Sequence, residues 1–351
     1  MEAGGRIVSR LTSGTRIRLP LATVLFALVL GSTPRWVVAQ EITVMTWAGA
    51  WEEAARAIVA QFERQSPVKV RLELQQNMRF GLAKLRAQRD DPQVDVWFSV
   101  PDGLEDATND GLLQPLAVNE LPNVRALPDA ARHRTWMEVG HDVYGIIYRK
   151  DMVPFEPKTI EDLLDARLKS KVLSPTASYA SGLWIVYSSI VNGGSDRNVE
   201  PGFEYLRKLK PSLARFYTTG PEAMKLLQSG EAAVFPFGLF ANLRPHLGQD
   251  SPYKFVLPKG PVFTTTYSVA IASPKRKAQA MQFVDFLATA QAQTLYCDKV
   301  LCIPTNPAAR APQAAEEFRP DPARLYRPDL QLINKSLPAW DDRFKKEIQS
   351  R

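Results

Sequence analysis

The chain has 351 residues, of which 45% are hydrophobic and 23% charged, a balance typical of a globular protein rather than a disordered or fibrous one. It carries 44 Lys and Arg against 37 Asp and Glu, but five Arg and one Glu lie in residues 1–39, so the rest has 39 basic and 36 acidic residues. Its basic residues form no block of the kind that binds nucleic acid or a membrane surface, so we expect neither as a partner.

Residues 1–39 have the features of a secretory signal peptide. Four arginines precede an uncharged stretch from 19 to 34, and Val37 and Ala39 follow as small residues at the spacing that a signal peptidase favours. A membrane-anchoring helix is the alternative, although a stable span needs about 20 apolar residues. We therefore expect a periplasmic protein without stable membrane insertion after cleavage.

The chain contains two cysteines, Cys297 and Cys302, five residues apart. In an oxidising compartment we expect this pair to form a local disulfide. The three histidines, His133, His141 and His246, are scattered along the sequence. We therefore expect neither a metal site nor a cofactor.

Strand and helix patterns alternate along the chain. Strand patterns at 41–47, 68–74 and 94–99 are joined by helical patterns through short loops, which predicts a βαβαβ unit and a parallel, doubly wound sheet. Further strands are predicted at 143–148, 171–174, 232–237 and 265–272. Further helices are predicted from 159, at 181–191, 203–209, 221–229 and 239–247, as one long helix at 278–297, and at 336–348.

Several segments resemble the solute-binding proteins of ABC importers, most closely the spermidine/putrescine and iron branch. They lie, in the family's order, at 142–151, 159–174, 229–234, 257–260, 267–272 and 303–310. The similarity extends over nearly all of residues 41–350. It implies a type II periplasmic-binding-protein fold of the α/β class, with two lobes, each a doubly wound mixed sheet, joined by two hinge strands.

The resemblance also implies a division of the chain and a set of partners. We expect a signal peptide at 1–39, the first part of lobe 1 at 40–142, lobe 2 at 143–258, and a return crossover, the completion of lobe 1 and C-terminal wrapping helices at 259–351. A monomer that closes on a small-molecule ligand and then docks on the permease subunits of an ABC importer is the expected mode of action.

Ligands of open α/β sheets bind beyond the carboxyl ends of the strands, and pockets favour the space between domains. The residues near the predicted strand ends and on the return crossover are therefore the ligand-binding candidates: Thr46, Trp47, Gly49, Asn77, Arg79 and Ser99 in lobe 1, Ser178, Tyr179, Ser181, Gly182, Phe237 and Gly238 in lobe 2, and Thr265, Thr266 and Tyr267 on the crossover.

Some of these candidates have a purely structural alternative. Trp47 and Phe237 can belong to the core, Ser178 and Ser181 can cap the helix that follows them, and Arg79 can be a solvated helix residue. Trp97 and Trp184 are assigned to the core.

Differences from the spermidine/putrescine and iron branch narrow the class of ligand. Polyamine-binding relatives carry an acid where this chain has Tyr267, and residues 176–182 contain no acid. Ferric binders use two adjacent tyrosines, and residues 238–242 supply none. A hydroxyl-rich, aromatic cleft with helix N-termini favours a small anionic or zwitterionic organic solute, with a polyamine or ferric iron as the alternative.

Two other functions compete with transport. An extracytoplasmic enzyme on the same fold would need a nucleophile, a base and an orienting group, and the scattered histidines and the absence of a Gly-x-Ser-x-Gly motif speak against it. A ligand sensor that partners a membrane receptor would need only the same closure, so the sequence does not separate it from a transport receptor.

Overall fold

The computed structural model describes residues 41–248 and 250–350. The predicted signal peptide lies outside these residues. None of the helices in the two described ranges is long and apolar enough to cross a bilayer.

Ten strands form the centre of the part of the chain that the structure describes. They are β1 (Glu41–Trp47), β2 (Lys69–Gln75), β3 (Val96–Ser99), β4 (Trp136–Arg149), β5 (Val172–Pro175), β6 (Leu213–Tyr217), β7 (Val234–Leu239), β8 (Tyr253–Val256), β9 (Thr264–Ile271) and β10 (Ile303–Pro304).

Eleven α-helices surround the strands in the described part of the chain. They are α1 (Ala50–Phe62), α2 (Met78–Ala87), α3 (Pro101–Asn109), α4 (Pro122–Arg125), α5 (Leu183–Val191), α6 (Glu200–Leu209), α7 (Gly220–Gln228), α8 (Lys277–Leu287), α9 (Ala290–Val300), α10 (Gln313–Glu316) and α11 (Leu330–Phe344).

The strands follow the order β2-β1-β3-β9-β4-β7-β5-β6, with β8 and β10 also paired to β4. One strand, β4, belongs to two sheets. Its first part pairs with β9 and β10 in sheet A, and its second part pairs with β7 and β8 in sheet B. The elements on sheet A are called lobe 1 below, and those on sheet B lobe 2. The predicted α/β fold of two mixed sheets is confirmed, whereas the residue limits proposed for the lobes stay a prediction.

Both sheets carry helices on both faces, as a doubly wound sheet requires. In sheet A, one face packs against α1, α8 and α9, and the other against α2 and α3. In sheet B, one face packs against α5, α6 and α11, and the other against α7. The predicted core tryptophans, Trp97 and Trp184, are both buried.

Three predicted helices differ from the structure. The long helix at 278–297 is two helices, because Thr289 leaves the helical conformation and caps α9 by accepting a hydrogen bond from Ala292. The predicted helix from 159 consists of two short 3-10 turns, Glu161–Leu164 and Ala166–Leu168. Residues Phe240–His246, which include Pro245, are also 3-10 rather than α-helical.

The predicted disulfide between Cys297 and Cys302 is confirmed. It packs against β4, which is called the crossing strand below because it belongs to both sheets. The two Cα atoms lie 4.5 Å apart and both cysteines are buried. A Cβ added at Gly140 of β4 would lie 2.7 Å and 2.8 Å from the two sulfur atoms. The bridge therefore fills the space directly behind β4.

Replacing both cysteines with alanine should lower the free energy of unfolding by about 2 kcal/mol, because so short a loop restricts the unfolded chain only modestly. Urea denaturation of the oxidised wild type and of the double variant would measure the difference. Adding a reductant should lower the stability of the wild type alone. Equal stability of the oxidised wild type and the double variant would contradict the prediction.

Candidate functional site

The loops that follow the strands of sheet A meet those that follow the strands of sheet B. β3 ends at Ser99 and leads into α3, whose first turn carries Asp102. β5 ends at Pro175 and leads into the turn Tyr179–Gly182. The Ser181 hydroxyl donates a hydrogen bond to the Asp102 carboxylate. This contact marks the space between the two sets of strand ends, called the cleft below.

The turn that carries Ser181 has an unusual backbone. Ala180 (φ 47°, ψ 38°), Ser181 (φ 53°, ψ 34°) and Gly182 (φ 86°, ψ 2°) are three successive residues in the left-handed region. This conformation costs roughly 1–2 kcal/mol for each non-glycine residue. Packing of Gly182 beside Leu337 and Ile333 of α11 helps to hold the turn.

Replacing Ala180 with glycine should therefore raise the free energy of unfolding by up to about 1 kcal/mol, because glycine adopts a positive φ without steric cost. Ala60→Gly is the matched control, since Ala60 is exposed within α1 and the same change there should cost about 0.5–1 kcal/mol. Chemical denaturation of both variants measures the difference. Equal destabilisation by the two changes would show that Ala180 is not strained.

A second polar contact joins the lobes at another pair of strand ends. Arg244, in the 3-10 segment after β7, donates to Glu53 in the first turn of α1 at 2.7 Å. Both side chains are partly exposed to solvent, so the pair contributes no more than about 1 kcal/mol. It nevertheless shows that the two sets of loops lie against each other at two separate points.

Three aromatic rings line the sheet A side of the cleft. Trp47 and Trp51 lie 6.1 Å apart, and Tyr267 lies 6.4 Å and 5.9 Å from them. The two tryptophans are half-buried, whereas Tyr267 is buried. Such a group offers apolar ring surface, while the Tyr267 hydroxyl donates to Asp142 and the indole nitrogen of Trp51 is buried.

Asp142 lies on the crossing strand, with 2% of its surface exposed. Its carboxylate accepts hydrogen bonds from the Tyr267 hydroxyl at 2.9 Å, the Val143 amide at 2.8 Å and the Ala241 amide at 3.3 Å. Burial raises the pKa of Asp142 from 3.8 to about 7, although these hydrogen bonds oppose the rise. Asp142 thus ties β9 and the end of β7 to the strand that connects the lobes.

Tyr144, two residues further along β4, stacks on Phe237 with ring centroids 4.3 Å apart. Burial raises the pKa of Tyr144 well above 10, and the negative charges of Asp102 and Asp142 add to the rise. Its phenol is therefore neutral and lies within the electrostatic reach of both carboxylates.

The lobe 1 candidates take different positions. Thr46 is buried and its hydroxyl has no hydrogen-bond partner in residues 41–248 and 250–350, while Trp47 belongs to the aromatic group. Gly49 precedes α1 with a positive φ, and the space around its Cα is open. Asn77 caps α2 by accepting from the Phe80 amide at 2.9 Å.

Two further lobe 1 candidates differ in burial. Arg79 is exposed near the start of α2. Ser99 is fully buried at the end of β3, and within the described ranges its hydroxyl has no hydrogen-bond partner.

In lobe 2, the helix capping considered as the structural alternative for Ser178 and Ser181 is not observed. Ser181 donates to Asp102, and the exposed Ser178 hydroxyl lies 3.3 Å from that of Thr176, so neither side chain caps α5. Tyr179 packs its edge against Tyr217 with centroids 4.9 Å apart.

The placement of Phe237 and Gly238 at a strand end is wrong. Both lie inside β7, which continues to Leu239 because its pairing with β4 extends to Tyr144. Phe237 is a core residue with 1% of its surface exposed.

The crossover candidates lie at the start of β9, where this strand pairs with β4. Thr265 pairs with Asp142 and Thr266 with His141 in the register of β9 against β4. The Thr266 hydroxyl lies 3.0 Å from that of Ser268, and Tyr267 donates to Asp142.

Two buried acids that are not among the sequence candidates, Asp102 and Asp142, lie at the cleft. The comparison with polyamine binders concerns only Tyr267 and residues 176–182, neither of which includes these two acids. A signal for Asp102 was present, since it follows the end of a parallel strand by three residues, where helix α3 begins. Asp142 and Tyr144 are not among the candidates because the prediction covered strand ends and the return crossover. Both residues lie within β4.

Two of the three histidines are close in space although they are scattered in sequence. His133 and His141 place their Nε2 atoms 3.2 Å and 3.7 Å from the two carboxylate oxygens of Glu138. Within residues 41–248 and 250–350, no group of three or more His, Cys, Asp and Glu is arranged to hold a metal ion.

Two sheets that share a crossing strand, with the strand-end loops of both facing one cleft, define a two-lobed binding protein. The chain belongs to the bacterial extracellular solute-binding proteins, whose family model matches residues 57–324.

Solved structures share this fold. They include a putative extracellular solute-binding protein from Bordetella parapertussis (20% identity, 88% of this chain and 99% of that chain covered, TM-score 0.74). The spermidine/putrescine ABC transporter substrate-binding protein PotD from Streptococcus pneumoniae matches with 16% identity, the same coverage and a TM-score of 0.74. AfuA from Actinobacillus pleuropneumoniae, solved with fructose-6-phosphate bound, matches with 19% identity, coverage of 89% and 99%, and a TM-score of 0.70.

Proposed function

We propose that the protein is the receptor of an ABC importer, which collects a small polar organic solute in the periplasm and delivers it as a monomer to the permease subunits. Membership of the solute-binding family and the likeness to substrate-binding proteins of ABC transporters support this assignment. A binding role rather than a catalytic one agrees with the family. It also agrees with the bridging of both cysteines, which removes them as nucleophiles.

The observation that carries the proposal is the Ser181–Asp102 hydrogen bond, which joins loops 79 residues apart from the two lobes. The chain passes between the lobes three times, in β4, between β8 and β9, and between β10 and α11. Bending of these connections would open and close the cleft around a solute, and an importer can recognise the closed form.

The cleft favours an anionic or zwitterionic solute over a diamine. A diamine needs two carboxylates, and Asp142 already accepts three hydrogen bonds from the protein. The N-terminus of α1 and the exposed Arg79 supply groups that attract an anion. Ferric iron is disfavoured because residues 238–242 lack the two adjacent tyrosines that ferric binders use.

A thermal-shift screen followed by calorimetry would test the proposal. The panel contains short amino acids, phosphorylated sugars, putrescine and ferric citrate. We expect an anionic or zwitterionic member to raise the melting temperature and to bind saturably, because a ligand of the folded state stabilises it. X-ray scattering should show a more compact particle in its presence.

Arg79→Gln should weaken the binding of that solute, and Arg64→Gln should not, since Arg64 is exposed beyond the far end of α1. Tighter binding of putrescine or ferric citrate would contradict the ligand class. A failure of every compound to bind would contradict the receptor function.

A further inference from the structure

We infer that Asp102 binds a primary ammonium group of the solute, so that the ligand is a zwitterion with its cationic end at the first turn of α3. This inference rests on the proposed function and specifies the substrate class of the same cleft.

Asp102 differs from the other buried aspartates in how it is compensated. Asp95 is paired with Arg276 at 2.8 Å and also accepts from the Thr43 amide at 2.8 Å. Asp142 accepts three hydrogen bonds from the protein. Asp102 is 8% exposed, and among the described residues its carboxylate has one hydroxyl partner, Ser181, and no Lys or Arg within ion-pair distance. A buried carboxylate with so little compensation is costly unless a cation binds it.

The charge of Asp102 also acts on its own helix. Burial raises the pKa of Glu105 and of Asp106, and in both cases the negative charge of Asp102 is the next largest cause of the rise. Cations oppose it only partly, since Arg86 and Arg79 lower the pKa of Asp106 and His133 lowers that of Glu105. The first turns of α3 therefore present a negative potential at the cleft, despite the positive end of the helix dipole.

An independent feature beside Asp102 also indicates a hydrogen-bonding ligand. The Ser99 hydroxyl, which is fully buried and has no partner in the described ranges, lies at the end of β3. It is 2.9 Å from the position that a Cβ on Gly103 would occupy, next to Asp102 in the chain. Buried polar groups are normally paired, so this hydroxyl is a candidate acceptor.

These groups match the chemistry of an ammonium ion. An ammonium group has three N–H donors and no acceptor, and it is best satisfied by one carboxylate and additional oxygen acceptors. Asp102 supplies the carboxylate, Ser181 an oxygen from lobe 2, and Ser99 an oxygen from lobe 1. Because the set includes both lobes, an ammonium bound here would also favour closure of the cleft.

Matched pairs of probes that differ by one amino group test the inference. Suitable pairs are 4-aminobutanoate with butanoate, β-alanine with propanoate, and phosphoethanolamine with ethyl phosphate. Calorimetry would measure their binding to the full mature protein, to Asp102→Asn, and to Glu105→Gln. The second variant is the matched control, since it removes one negative charge from the same helix one turn further on.

We expect the wild type and Glu105→Gln to bind the amino member of at least one pair about tenfold more tightly than its deaminated partner. Asp102→Asn should lose this preference. A difference of about tenfold is the size expected for one charge-assisted hydrogen bond. Ser181→Ala, which keeps the carboxylate, should retain the preference. This variant provides a second test if Asp102→Asn folds poorly.

The inference would be overturned by equal affinity of the wild type for both members of every pair that binds. Retention of the amino preference in Asp102→Asn, or its loss in Glu105→Gln, would overturn it as well. Binding of deaminated anions alone would overturn the inference but leave the receptor function intact. A complete lack of binding by either kind of probe and by the wider panel would overturn both.

Discussion

Replacing Asp142 with asparagine should remove a large part of the pH dependence of stability between pH 4 and pH 8. Asp142 is buried on the crossing strand, and burial raises its pKa from 3.8 to about 7 in the folded protein. The folded state therefore holds a proton that the unfolded state has released over this range. Stability falls as the pH rises wherever the folded state binds more protons.

The direction and size of the effect follow from the two pKa values. The favourable contribution of the protonated carboxyl is fully present below about pH 4 and is lost as the pH rises through about 7. The difference between the two pKa values corresponds to a change on the order of 4 kcal/mol in the free energy of unfolding. The groups that face Asp142, including Tyr267, Tyr144 and Tyr179, stay neutral in this range because burial raises their pKa values.

Urea denaturation of the wild type and of Asp142→Asn across this pH range would measure the difference in slope. The asparagine variant should become progressively more stable relative to the wild type as the pH rises. Tyr267→Phe is the informative companion, because loss of one donor to the carboxylate should raise the pKa of Asp142 further and move the transition to higher pH. Parallel curves for the wild type and Asp142→Asn would refute the prediction.

Replacing Phe237 with alanine should lower the free energy of unfolding by about 3–5 kcal/mol, the usual cost of removing a large buried aromatic ring. Phe237 stacks on Tyr144 and also contacts the rings of Trp184 and Tyr187, with centroids 5.6 Å and 5.5 Å away. Removing its ring would leave a cavity in the core of lobe 2, directly behind the crossing strand.

Phe80→Ala is the matched control, because Phe80 is 47% exposed at the start of α2. The same change there should alter the free energy of unfolding by no more than about 0.5 kcal/mol. Equilibrium unfolding of the two variants gives the comparison. A Phe237→Ala protein with wild-type stability and weakened solute binding would instead support the original interpretation of Phe237 as a ligand contact.

Local sequence patterns were sufficient to predict the framework of lobe 1. The alternation in 41–47 and the apolar face of 51–64 predict β1 and α1 almost to their observed limits. The pattern in α1 reflects burial on one face of the helix, whereas β1 is buried on both faces over residues 42–46 and is recognisable by its apolar and β-branched residues. The small strands β6 and β8 were not predicted, because the half-buried pairing of a short strand leaves little periodicity to detect.

The cleft was harder to predict because its geometry depends on contacts between distant segments. Asp102 and Ser181 meet only because two lobes pack together, and no local pattern relates residues 79 apart. The left-handed turn at Ala180 and Ser181 is equally hidden, since only the adjacent Gly182 has an intrinsic tendency toward a positive φ. Local sequence patterns can therefore predict which loops line such a cleft, but not which side chains meet there.

The position of β9 has a consequence for the order in which the protein is synthesised. β9 lies between β3 and β4 in sheet A, yet it begins 165 residues after β3 ends at Ser99. A ribosome that adds 5–20 residues per second needs roughly 10–30 s to cover this distance. Throughout that interval the nascent chain carries β3 with an unpaired edge, and every strand of sheet B emerges before β9 can pair with β3 and β4. Any chaperone that accompanies this chain must protect that edge until β9 arrives.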